Sequence, residues 1–370
     1  MKVKIAHSVK LEVNDIVKDI KEQLNGFEAK LIQLYASSKI NFAELSKELY
    51  NILGTIPTIG CTTSGEIISG KMLDNSVVVM ALGKDIIADC MIEILENITE
   101  NTTVIDDTFS AFKKKTGNDI SELNPEEYLG IVLIDGLSGK EETINERIGD
   151  LTNVTFIGGS AGDDLQFKQT LISANGKTYN NAAVLCLIKS NVKFGFIKTQ
   201  SFKSTGKKVL ITKADEATRT VNEINNKPAI EEYANLTGVD KDNVTSVFSN
   251  NPVGLVFEND FFVRSPQQVS ENNIKFYCSI KEGMELDLLQ SQNIIESTKQ
   301  DLAETIDSFG KISALINFNC ILRTNELKNK KQTEAYGNLF KDIPTVGFSS
   351  YGESYIGHIN QTATMLIFGD

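Results

Sequence analysis

The sequence predicts a mixed α and β protein, between α/β and α+β, with mixed sheets, helices and an internally repeated strand, helix, glycine-rich turn and strand. Three observations carry that expectation. Apolar runs at 30–37, 128–136 and 313–323 are each followed by a helical pattern. Each helix leads to a glycine-rich turn whose glycine lies 25, 24 and 29 residues beyond the strand centre, from Tyr35 to Gly60, Ile134 to Gly158 and Phe318 to Gly347. Matched spacings of this kind mark an internal repeat. Short strands and hairpin signals elsewhere argue against a purely parallel, doubly wound sheet.

In the first unit "KLIQLYAS" reads as a buried strand, and Phe42, Leu45, Leu49 and Ile52 recur at helical spacing behind Asn41, a natural N-cap. The turn "PTIGCTTSGE" at 57–66 precedes the strand "SVVVMAL". In the second unit "YLGIVLIDG" leads to a helix over about residues 140–151, then to "VTFIGGSAGDD", with Asn175-Gly176 behind it as a hairpin turn. The third places a strand through "SALINFNCILR", a helix near 332–341, the turn "IPTVGFSSYGE" and a closing strand at 362–368. Between the second and third units the pattern gives a hairpin with a polar turn at 204–207 and a helix from about Ala229. The short strands "NPVGLVF", "DFFVRSP" and "NIKFYCSI" and a long helix near 293–309 follow. Topology places a boundary near Ala214, for domains 1–214 and 215–370.

A chain of 370 residues exceeds what one ordinary core supports. The opening "MKVKIAHSVKLEVNDIV" has no apolar stretch behind its lysines, so it does not read as a secretory signal. Runs such as "VVVMAL" and "AAVLCLI" fall far short of the roughly 20 residues of a membrane helix, which predicts a soluble, cytoplasmic protein. A net charge of −12 argues against nucleic acid and against an anionic membrane surface as partners. Five scattered cysteines without a CxxC pair read as reduced, mostly buried thiols. Two histidines, His7 and His358, are too few for a catalytic zinc site.

The turns carry the chemistry that merits weighing. Gly60, Gly65, Gly347 and Gly352 permit positive φ or close backbone approach, while Thr62, Thr63, Ser160, Ser349 and Tyr351 add hydroxyls. Exposed turn amides would cup a small polar or anionic ligand; alternatively the same residues make a tight, self-bonded turn. Glu66, Glu353 and Asp163, with Asp164 beside it, either accept a ligand ammonium or cap the turn amides. Only four arginines occur, and Arg264 in "FFVRSP" and Arg323 in "NCILRT" directly follow apolar strand residues. There a planar fork suits a carboxylate, or a buried ion pair. On the first reading Arg323→Ala abolishes binding and leaves the fold intact.

Enzyme readings are weaker. "GGSAG" matches G-x-S-x-G, and Ser160, Asp163 and His358 fall in hydrolase order, but the following segment reads as extended where a nucleophile elbow needs a helix. Cys61 with His358 would make a dyad that lacks any local signature. No catalytic residue is therefore expected, and His358 as an axial haem ligand is the alternative cofactor reading.

The ordered motifs resemble the FIST domain family. "IGCTTSGEI" and "IGGSAGDD" are similar to the signatures of its amino-terminal domain. "NPVGLVF", "FFVRSP", "IKEGMELDL", "NCILR", "GFSSYGE" and "INQTATMLIF" are similar to the successive blocks of its carboxy-terminal domain. The resemblance runs from about Lys30 almost to the end. It implies a bacterial sensory module for a small ligand such as an amino acid, with some relatives binding haem to sense nitric oxide. A separate kinase or regulator would carry the output. The resulting expectation is a cytoplasmic sensor in which Arg264 and Arg323 hold a carboxylate and Glu66 or Glu353 the opposite charge. A haem-based gas sensor and a hydrolase using Ser160 or Cys61 are the alternatives.

Overall fold

The computed structural model describes residues 2–101, 104–257 and 260–370, the side chain of Asp260 excepted. The chain opens with β1 (Val3–Ser8) and α1 (Val13–Leu24), whose Val13, Ile16, Val17, Ile20 and Leu24 form one buried stripe. β2 (Ala29–Ser37), α2 (Phe42–Ile52) and β3 (Thr58–Thr63) follow. Asn41 caps α2, accepting from Glu44 N at 3.3 Å and donating to Glu44 Oε2 at 2.9 Å. Next come β4 (Glu66–Ile68), β5 (Lys71–Leu73), β6 (Val77–Gly83), β7 (Ile87–Glu96) and α3 (Val104–Thr116). A second strand, helix and strand are β8 (Tyr128–Ile134), α4 (Glu141–Leu151) and β9 (Phe156–Ser160). After them run β10 (Ile172–Ala174), β11 (Lys177–Tyr179), β12 (Ala182–Ser190) and β13 (Phe194–Gln200).

The middle of the chain holds β14 (Phe202–Asp215), β15 (Thr220–Ile224), β16 (Lys227–Pro228), α5 (Ala229–Thr237) and β17 (Val253–Phe257). β18 (Asp260–Arg264), β19 (Pro266–Ser270), β20 (Asn273–Phe276), β21 (Glu285–Ser291) and α6 (Ile294–Phe309) complete it. The last part is β22 (Ile312–Cys320), α7 (Ile321–Asn329), α8 (Thr333–Asn338), β23 (Thr345–Ser350), β24 (Glu353–Tyr355), β25 (His358–Ile359) and β26 (Thr362–Gly369).

Two compact units divide these elements. The larger comprises Met1–Lys198, Lys299–His358 and Ala363–Asp370, and the smaller Thr199–Thr298 with Ile359–Thr362. In the larger unit three sheets run β1-β6-β2-β3-β10-β11, β25-β24-β9-β8-β12-β7 and β13-β26-β22-β23-β4-β5. Each centres on a parallel pair with a helical crossover, β2 with β3, β8 with β9 and β22 with β23. An antiparallel strand flanks each pair, respectively β6, β12 and β26. The hairpin after each turn leaves its own sheet. That after the first turn (β4 and β5) extends the third sheet, that after the third (β24 and β25) extends the second, and that after the second (β10 and β11) extends the first.

The sheets share one apolar cluster that includes Tyr35, Cys61, Ile131, Ile157, Phe318 and Phe348, with the Tyr35 and Phe348 rings 4.7 Å apart. Helices α1 and α2 cover the outer face of the first sheet, where Ile16 and Leu45 meet Leu34 and Val79. Ile105, Phe112, Ile144 and Ile148 of α3 and α4 cover the second. Burial on both faces explains why β2, β8 and β22 read as continuous apolar runs instead of alternating ones. The smaller unit has one sheet, β18-β17-β21-β14-β15-β20-β19, with β16 on β15. Its core gathers Val209, Ile211, Tyr233, Phe248 and Ile274.

The mixed sheets agree with the expected fold class, and three local readings need correction. The segments expected as glycine-rich turns are strands for most of their length, β3, β9 and β23, because each pairs in parallel with the apolar strand before its helix, and the chain turns only beyond them. Residues 204–207 do not turn a hairpin: β14 continues through them, pairing with β21 as Ser204 with Leu289 and again as Lys208 with Asp287. The polar residues form an irregularity there, with Gly206 at φ 78°. The strand expected through Arg323 stops at Cys320, and "ILRT" begins α7. Ala214 falls inside β14, while the compact units divide at 198 and 199. Among the described residues no helix is long and apolar enough to cross a membrane.

Candidate functional site

The three turns bond to one another in a closed ring. Ser64 N donates to Ser349 O at 3.1 Å, Tyr351 N to Ser160 O at 3.1 Å, and Gly162 N to Thr62 O at 3.0 Å. Ser349 N donates to Gly65 O at 2.8 Å and Ser160 N to Gly352 O at 2.9 Å. Amides expected to cup a ligand are thus engaged by neighbouring turns, because the exchanged hairpins make each turn an edge for the next sheet.

Gly60, Gly158 and Gly347 owe their identity to strand packing. A Cβ on each would lie 2.2, 1.7 and 2.0 Å from the carbonyl oxygens of Leu34, Val132 and Asn317 in the adjacent parallel strand. Of the four glycines singled out in the sequence, Gly65 alone takes a positive φ, 124°. Gly352 makes room for a histidine: its Cβ would stand 2.2 Å from His358 Cε1 and 3.0 Å from Nε2.

The turn acids bend back onto their own turns. Glu66 is fully buried, accepting from Thr63 Oγ1, from Ser76 Oγ at 2.6 Å and from Ser76 N at 3.0 Å. Burial pushes its carboxyl up to about 7 against these hydrogen bonds, which favour the carboxylate. Glu353, also fully buried, accepts from Ser350 Oγ at 2.6 Å. Asp163 holds the loop that follows it, accepting from Phe167 N at 3.0 Å, Lys168 N at 2.7 Å and Gln169 N at 3.1 Å, and from Tyr351 Oη.

Arg323 lies in the first turn of α7, 1% exposed, with Nε donating to Asn319 Oδ1 at 3.0 Å. Tyr336 Oη donates to the same oxygen at 3.1 Å, and Thr324 Oγ1 and Ser349 Oγ are 2.7 Å apart, so these groups form an enclosed polar network. Arg264 ends β18 in the smaller unit, half-buried, and Arg323 belongs to the larger unit. Cys61 is fully buried in the shared core, where burial pushes its thiol well above the ordinary value. Ser160 is equally buried and ends β9 with no helix behind it, so the nucleophile-elbow geometry is absent there. The His358 ring is 6% exposed and packed on the Gly352 backbone, a placement that does not fit an axial haem ligand, which must present a ring nitrogen to the iron.

Open space gathers instead at the carboxyl ends of the parallel pairs, on either side of loop 163–171. A cavity of about 430 Å³ is lined by Ser38, Asn41, Phe42 and Ala43 before and at the start of α2, by Thr62 at the end of β3, and by Gln169. One of about 240 Å³ on the other side shares Gln169 and adds Asp135, Ser138 and Lys168. Asn41 caps Glu44 N, and helix geometry leaves the amides of Phe42 and Ala43 without intrahelical acceptors. Ser38 Oγ donates to Asp164 Oδ2 at 3.3 Å, and desolvation raises the carboxyl of Asp164 above its ordinary value.

The loop between the cavities is held in costly geometry. Asp164, Leu165 and Phe167 have φ of 57°, 61° and 51°, a region that bulky side chains rarely adopt. Asp163 fastens one end, Tyr351 Oη accepts from Leu165 N at 2.6 Å, and the Phe167 and Tyr351 rings lie 5.5 Å apart. Thr62, Asp163 and Tyr351 of the expected site therefore meet around this loop. Thr63, Ser160 and Ser349 lie buried behind it, and Glu66, Glu353 and Arg323 are enclosed within the turns and α7. Sequence reading missed Ser38, Ala43 and Gln169; the available signal was the N-cap Asn41, which marks where α2 presents its first amides.

A FIST N domain model matches residues 30–227 and a FIST C domain model matches residues 229–355. An uncharacterized protein of Methanocaldococcus jannaschii is 25% identical over 179 residues, covering 44% of this chain and 35% of that protein. The chain thus spans about a third of the length of that curated relative.

Proposed function

Because the chain belongs to the FIST family, a family of sensory and signalling domains, we propose that it senses a small carboxylate-bearing molecule such as an amino acid. The carrying observation is the polar cavity of about 430 Å³ at the carboxyl ends of β2 and β3, lined by Asn41, Phe42 and Ala43 at the start of α2. Open α/β sheets place ligands in this position, and a helix N-terminus favours an anion. A ligand carboxylate would meet the amides of Phe42 and Ala43. The Asp164 carboxylate, already held by Ser38, would face the ammonium. Loop 163–171, held by Asp163 and Tyr351, would report occupancy to a separate signalling protein such as a kinase or regulator. Binding without catalysis fits the burial of both candidate nucleophiles, Cys61 and Ser160.

Thermal-shift and calorimetric titration with a panel of amino acids and organic acids tests this reading. Ala43 is exposed in the first turn of α2, where aspartate suits the helix dipole but repels a carboxylate, so Ala43→Asp should keep the fold and lose the ligand. Unchanged binding in Ala43→Asp, or no saturable shift with any compound, sinks it.

A further inference from the structure

The three exchanged hairpins each reach toward the crossover helix of the sheet they join, and their seats differ. At the first sheet the tip Asn175-Gly176 rests on Tyr50 of α2, so close that a Cβ on Gly176 would lie 2.9 Å from Tyr50 Cβ. At the third, the backbone of the β4–β5 hairpin closes directly on α8, with Lys71 Cα 2.7 Å from a Cβ built on Gly337. At the second, the tip Ile356-Gly357 borders a cavity of about 300 Å³ beside α4.

Helices α2 and α4 correspond position by position. Each has 11 residues, and the buried set Phe42, Leu45, Ser46 and Leu49 matches Glu141, Ile144, Asn145 and Ile148. Tyr50 then corresponds to Gly149, which lines the cavity and has nothing within 4 Å of its would-be Cβ. The space is that of an absent aromatic ring. Its walls are apolar at Ile148, Val154 and Phe156. Thr152, Asn153 and Thr155 add polar groups, and Asn145 is the one fixed beside Ile148 on α4: its amide nitrogen donates to Glu141 O at 2.7 Å and to Ser354 Oγ at 2.9 Å. Both donors are thereby used, which fixes the amide orientation and leaves Oδ1 as the group able to accept from a ligand. Asn145 is 7% exposed, so a donor reaching it is desolvated along with it.

We propose that this cavity is a second ligand site, taking a planar one- or two-ring aromatic molecule with a single N–H or O–H donor. Its volume is at the lower end for small-molecule sites, which suits a compound of that size. The ring occupies the place that Tyr50 fills on α2, and the donor bonds to Asn145 Oδ1. The site shares no residue with the cavity at the start of α2.

Indole is a practical probe, since the chain has no tryptophan and indole emission is read without protein background of that kind. Wild-type protein should show saturable indole binding, with benzofuran, which lacks the donor, roughly tenfold weaker. Gly149→Phe should abolish binding by filling the space, and Gly149→Ala should retain it. If Gly149→Phe lowers the melting temperature, Gly149→Leu provides the same comparison. Ala43→Asp should bind indole normally. No saturable signal with wild-type protein, unchanged affinity in the folded Gly149→Phe or Gly149→Leu variant, or loss of the signal in Ala43→Asp overturns the proposal.

Discussion

Replacing Glu66 by glutamine tests the cost of burying that carboxylate. The side chain is fully enclosed, and its folded-state value is raised from 4.5 to about 7 by desolvation. Below pH 4.5 the group is neutral in both the folded and the unfolded chain. As pH rises, the unfolded chain ionises first, so the stability due to the retained proton is lost between 4.5 and about 7. At about 1.4 kcal/mol per pH unit this interval amounts to about 3 kcal/mol. Glutamine keeps an oxygen for Ser76 N and Oγ and offers an amide to Thr63 Oγ1, without any charge to bury. Glu66→Gln should therefore match the wild type near pH 4 and exceed it by about 3 kcal/mol at pH 8, a melting difference on the order of 5 °C. Paired thermal melts from pH 4 to 8 measure this directly, because other titrating groups are common to both proteins. Parallel profiles would refute the reasoning.

Four further outcomes follow from the same geometry. Gly158→Ala places a Cβ 1.7 Å from Val132 O, which must push β9 from β8, so we expect a loss above about 3 kcal/mol or no soluble protein in unfolding titrations. Gly149→Ala, in an open helical position, should instead add about 0.5–1 kcal/mol in the same assay. Arg323→Ala strips a buried guanidinium from Asn319, so about 3 kcal/mol or more of stability should be lost; the sequence expectation of an intact fold fails if that loss is measured. Tyr351→Phe removes the hydroxyl that joins Asp163 to Leu165 N; amide exchange should quicken over residues 164–169 while overall stability falls by only about 1–2 kcal/mol.

Local signals were enough to locate β2, α2 and β6, because apolar runs, helical spacing and the Asn41 cap act within a few residues. They were enough for the Asn175-Gly176 hairpin too, where φ of 50° and 78° suits those residue types. Arg323 illustrates the limit. "NCILRT" reads equally as a strand end or a helix start over so short an apolar run; α7 begins at Ile321, and Arg323 bonds back to Asn319 at the end of β22. Loop 163–171 was mostly hidden, since of its positive φ values at Asp164, Leu165 and Phe167 only the first falls on a residue type that favours that region.

The sequence alone determined where each apolar strand, its helix and the glycines fall, that most thiols are buried, and the family resemblance, since each is written in neighbouring residues or their spacing. Tertiary structure decided what the turns do. Their glycines clear neighbouring carbonyls, Glu66 and Glu353 bond to hydroxyls close by in the chain while Asp163 also takes the Tyr351 hydroxyl, and their amides close a ring among three sheets through partners a hundred or more residues apart. The open spaces beside α2 and α4 were decided in the same way. A cavity is set by side chains from distant segments that meet or fail to meet, and no local pattern records that difference.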